Sequence, residues 1–73
     1  MPKATVTLYP GPAGDLMPHV EVRGVKGGSE YIREGIAHTI YANLQPVWLD
    51  NGVETMLLAE PVPGVYVRIR RAA

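Results

Sequence analysis

The side chains in this sequence that could carry nucleophilic or acid–base chemistry are few. There is one serine, Ser29, two histidines, His19 and His38, seven carboxylates and no cysteine. A Ser-His-acid set could be drawn from Ser29, His19 or His38, and Asp15, but such a combination exists in almost any chain. The spacing around Ser29, "KGGSEY", does not match the G-x-S-x-G turn that exposes a nucleophile. Ser29 reads instead as a loop residue or a helix cap. Glu21, Glu30, Glu34, Glu54 and Glu60 stand singly on alternating or turn positions, as solvated faces do, and form no pair for general acid and base.

Metal and phosphate chemistry fare no better. His19 and His38 lack H-x-x-H spacing, and there is no thiolate to complete a tetrahedral site. "DNGVE" at 50–54 echoes a calcium loop without its D-x-D/N-x-D/N-G order, and a turn already explains Asp50, Asn51 and Gly52. "GVKGGSE" at 24–30 has its Lys and Gly residues in the wrong order for a phosphate-binding loop. A small domain also leaves little room for a cavity of the ~300 Å³ or more that ligands usually occupy. We therefore expect no catalytic, cofactor-binding or metal-binding residues, no small-molecule substrate and no enzyme.

The remaining functional feature is the C-terminal "VPGVYVRIRRAA". Val65, Val67 and Ile69 alternate with Tyr66, Arg68 and Arg70, the period of a half-buried strand, and Arg71 follows. The last twelve residues hold three arginines and no acidic side chain, whereas residues 1–61 carry four basic groups against seven acidic ones. Three readings compete. The arginines are the solvated face of an edge strand, where charge discourages strand addition; they contact another protein; or, with Tyr66, they bind single-stranded nucleic acid. The formal net charge is zero, which disfavours nucleic acid, because such binders usually carry a basic excess.

The elements that must position these residues are short. "ATVTLY" at 4–9 and "HVEVRGV" at 19–25 alternate as strands, with "PGPAGD" at 10–15 and "KGG" at 26–28 as breaks. Residues 29–45 fit two patterns. Ile32, Ile36, Ala37, Ile40, Tyr41 and Leu44 share about half of a helical wheel behind a Ser29 cap, giving a short helix. Gly35 and the β-branched residues instead favour two strands. "VWLDNGVETMLL" places Asn51-Gly52 between apolar runs, a strong hairpin signal. "PVPG" at 61–64 then turns into a last strand, so residues 46–70 are expected to form a three-strand meander. Eight Gly and seven Pro between short apolar runs complete the pattern. The expectation is one mainly β domain over residues 1–73, a small antiparallel barrel or sandwich, with an α+β alternative if 29–45 is helical.

Seventy-three residues bury only about 60% of the surface the unfolded chain exposes, and without cysteine no disulfide can compensate. The strands around Trp48 and over Met56, Leu57 and Leu58 are apolar on both faces, as buried strands are. So small a domain cannot easily cover both. The expected function is a non-enzymatic assembly module that packs against copies of itself and a larger protein assembly. A phage virion accessory protein, for capsid decoration or head–tail joining, exemplifies that class. Its contact residues would be Trp48, Met56, Leu57, Leu58, Tyr66, Arg68, Arg70 and Arg71. The rival is a small nucleic-acid-binding barrel that uses the C-terminal Arg/Tyr strand. No apolar leader follows the N-terminal Lys3 and no apolar run nears the ~20 residues of a membrane span, so a cytoplasmic or virion location is expected, with no membrane partner.

Overall fold

The computed structural model describes residues 1–72. Its elements run β1 (Lys3–Pro10), β2 (Leu16–Arg23), a 3-10 turn at Lys26–Gly28, α1 (Glu30–Asn43), β3 (Leu44–Trp48), β4 (Glu54–Leu58) and β5 (Tyr66–Arg71). The fold is mainly β, as the composition implies. The strands form two sheets, β2-β1-β5 and β3-β4, and neither closes into a barrel.

β1 is the central strand of the larger sheet. It pairs antiparallel with β2, with Val6 opposite Val20 and Thr5 opposite Glu21. On its other side it pairs parallel with β5, with Val6 beside Ile69 and Thr5 beside Arg68. The period-2 pattern therefore sorts the sheet into two faces. Ala4, Val6 and Leu8 point inward and are buried, joined by Leu16 and by Ile40 from the helix; Val20, Val22, Ile36, Val67 and Ile69 pack around them. Five buried apolar residues among those described make a thin core for a chain of this length.

Residues 30–43 are helical, the α+β alternative for this stretch. Ser29 caps the helix by accepting a hydrogen bond from the Ile32 amide at 3.4 Å. Ile36 and Ile40, one turn apart, lie against the core, which outweighs the modest propensity of β-branched residues. Gly35 has nothing within 4 Å of where a Cβ would stand, so it marks an open position rather than a break. The Tyr41 hydroxyl reaches β2, accepting from the Val20 amide at 3.2 Å and donating to the Pro18 carbonyl at 3.3 Å. That contact blunts the exposed edge of β2.

The three-strand meander over 46–70 is corrected. β3 and β4 pair as a hairpin, but the last strand leaves them and joins β1. The link carries Pro61 and Pro63, and it turns at Val62–Val65, where the Val65 amide donates to the Val62 carbonyl at 3.2 Å and Gly64 has φ 76°. Pro63 and left-handed Gly64 occupy the two central positions of a type II turn there. The chain then crosses to the central strand, where the Tyr66 amide donates to the Pro2 carbonyl at 3.0 Å. There Val67 and Ile69 gain a place against the core.

Candidate functional site

The β3–β4 hairpin forms where Asn51-Gly52 predicts it, by a different turn. The Leu49 amide donates to the Val53 carbonyl at 2.9 Å and the Gly52 amide to the Leu49 carbonyl at 2.8 Å. Only Gly52 has positive φ, at 79°. This is a three-residue loop, a turn closed by one left-handed glycine, rather than a two-residue turn needing positive φ at Asn51 as well. Asn51 contributes by its side chain, whose Oδ1 accepts from the Val53 amide at 3.1 Å.

The register Leu44↔Leu58, Pro46↔Met56 and Trp48↔Glu54 assigns the two faces. Leu44, Met56 and Leu58 lie on one face and pack against the core. Gln45, Val47 and Leu49 lie on the other, beside Leu57, Thr55 and Val53. Among the described residues, none of that second set joins the core cluster. Leu57 is 52% exposed, Leu49 50%, and Val53 is exposed as well. Trp48 belongs to the core-side face, yet it sits beyond the end of the core and is 64% exposed. The hairpin is thus sandwiched on one side only, and no further strand pairs with either of its edges. A two-stranded sheet held so lightly is marginal in water.

The expected contact set therefore divides. Trp48 and Leu57 are exposed on the hairpin, whereas Met56 and Leu58 are half-buried on its core side. Leu49 and Val53, with half-buried Val47, complete that outer face. Trp48 on one face and Leu49 and Val53 on the other are exposed together. Tyr66, Arg68 and Arg70 lie on another surface, the outer face of the three-stranded sheet. Arg71 departs from that row. It alternates to the other side of β5, beside Leu8, and its Nη1 donates to the Glu54 carbonyl at the start of β4. Arg71 thus ties the two sheets together.

The outer face of the larger sheet is polar. β1 contributes Lys3, Thr5, Thr7 and Tyr9; opposite them β2 places Arg23, Glu21, His19 and Met17, and β5 places Tyr66, Arg68 and Arg70. The face holds a concavity of about 500 Å³. Arg23 pairs with Glu21, and the Tyr9 and His19 rings meet edge to face with centroids 6.5 Å apart. Thr7 is buried beneath its neighbours.

A third feature corrects the expectation that so small a domain lacks room for a ligand-sized space. An open groove of about 740 Å³ runs between α1 and the 62–65 turn, lined by Ile32, Gly35, Ile36, Val62, Pro63 and Val65. The crossover of β5 creates it, because the turn stands off from the helix. Its lining is chiefly apolar and includes Glu34 and His38. His38 lies on the helix that covers the inner face, and His19 on the outer face, so the sheet separates the two histidines. Ser29 is occupied as the helix cap. No group of three or more His, Cys, Asp or Glu is arranged to hold a metal among the described residues, and no helix there is long and apolar enough to cross a membrane. No family model, curated protein or solved structure matches this chain.

Proposed function

We propose that this chain is a non-enzymatic assembly module, of the class that virion accessory subunits exemplify, which packs against copies of itself and a larger protein assembly. One observation carries the reading: the uncovered face of the β3–β4 hairpin, where Leu49, Val53 and Leu57 stand in solvent around half-buried Val47, with Trp48 exposed on the opposite face at the hairpin's end. Apolar residues scattered singly need no explanation, but a contiguous patch on a thinly supported element marks a contact surface. A large aromatic group such as exposed Trp48 is the usual anchor of an interface. A standard interface covers about 800 Å² per partner, roughly 15% of this chain's 5244 Å². That area accommodates the hairpin face and its open edges.

The mechanism is burial rather than chemistry. Covering Leu49, Val53 and Leu57 removes apolar surface from water at about 25 cal/mol per Å². It also gives the hairpin the second supporting layer that the monomer lacks. Sedimentation equilibrium from low to high micromolar concentration tests the proposal. The expected result is concentration-dependent mass above that of one chain. A monomer at high micromolar concentration, with no protein co-purifying, would overturn it.

A further inference from the structure

We propose that the outer face of the β2-β1-β5 sheet binds single-stranded nucleic acid. This surface lies on the far side of the sheet from α1, and the inference does not rest on the hairpin contact. Its charge is the first argument. Lys3, Arg23, Arg68 and Arg70 share the face with a single carboxylate, Glu21, which Arg23 already engages. The face is thus +3 and the rest of the chain −3, because the other basic groups, Lys26, Arg33 and Arg71, are outnumbered by six carboxylates. A neutral chain is therefore polarised, and its positive side is one shallow-concave sheet face. Such a field draws a polyanion to that side and repels it from the others.

Spacing and ring chemistry choose the polyanion. Arg68 and Arg70 are two residues apart on one strand, about 6.7 Å, and their neighbours across the sheet are Thr5 and Thr7. Cations in a row, with the half-buried Thr5 between the strands and Thr7 buried beneath them, suit successive backbone phosphates. Aromatic rings stand at both ends of the face, Tyr66 next to Lys3 and Tyr9 next to His19. Tyr66 is 60% exposed, so its ring is free to stack. An acidic peptide satisfies the arginines but offers nothing to these rings, whereas bases stack on them regardless of sequence. β1, β2 and β5 thus supply from three distant segments what the C-terminal strand alone lacks.

Fluorescence anisotropy of a labelled oligothymidylate of ~12 nucleotides, read across a salt series, tests this. The expected result is binding at low salt, with log affinity falling against log salt at a slope of about −2 to −3, as three to four phosphate contacts require. Arg68→Ala with Arg70→Ala should weaken binding at least ~10-fold and flatten the slope by about 1.4, with circular dichroism unchanged. Arg71→Ala, on the other side of the strand, should leave the slope as it is. Absence of binding at low salt, or binding that the double variant leaves intact, would overturn the proposal. Displacement of the oligonucleotide by polyglutamate as readily as by unlabelled oligothymidylate would also overturn it, and would assign the face to an acidic protein.

Discussion

The two sheets of this molecule obey the same alternation and end in opposite situations. In β2-β1-β5 the inward residues meet a helix, and the outward ones are mostly polar, Lys3, Glu21, Arg23, Arg68 and Arg70 among them, with Met17 as an exposed aliphatic exception. In β3-β4 the inward residues meet the edge of the same core, and the outward ones are Val47, Leu49, Val53 and Leu57 together with polar Gln45 and Thr55. The larger sheet is finished by its own chain; the hairpin is half finished. Amphipathicity is therefore the feature to read. A sheet polar on its second face has met its needs within the monomer, and a sheet apolar on both faces requires another layer.

The comparison breaks most sharply at Ile40. It is fully buried between α1 and the larger sheet, so Ile40→Ala should lower the unfolding free energy by about 2–5 kcal/mol, measured by denaturant titration. Leu57→Ala, on the hairpin's outer face, should change stability of the dilute chain by only about 0.5 kcal/mol. Equal losses at the two sites would show that the hairpin face is already covered within the chain. An effect between those two is expected at the turn. Gly52 has φ 79°, and Gly52→Ala should cost about 1 kcal/mol, seen as faster exchange of the Leu49 amide while β1 amides keep their protection. The least effect belongs to the polar face. Arg68→Ala with Arg70→Ala should leave thermal unfolding within about 0.5 kcal/mol of the parent, since both side chains stand in solvent.

The same contrast explains what the sequence made legible. Local pattern sufficed for β1, β2 and the β3–β4 hairpin, because alternation and Asn51-Gly52 are signals between near neighbours. It could not decide residues 29–45, where β-branched isoleucines satisfy a strand and a helical stripe alike. The core settled that contest by accepting Ile36 and Ile40 from one helix face. The parallel pairing of β5 with β1 joins segments some sixty residues apart, and the nearest-neighbour expectation of a meander had no means to see it. That pairing also reassigns the arginines. Arg68 and Arg70 join Lys3 and Arg23 on one face, while Arg71 is drawn to the Glu54 carbonyl. Trp48, Met56, Leu57 and Leu58 were visible as a two-faced apolar stretch, but only the register shows that Met56 and Leu58 serve the core and Leu57 faces water.

The central claim is that another copy of this chain supplies the layer missing from the β3–β4 hairpin. Amide hydrogen exchange at two protein concentrations tests it most directly, because protection reports which element gains support. The account predicts that raising the concentration slows exchange across Val47, Leu49, Thr55 and Leu57, while Val6 and Leu8 of the central strand exchange as before. Hairpin amides that exchange equally fast at both concentrations would contradict it.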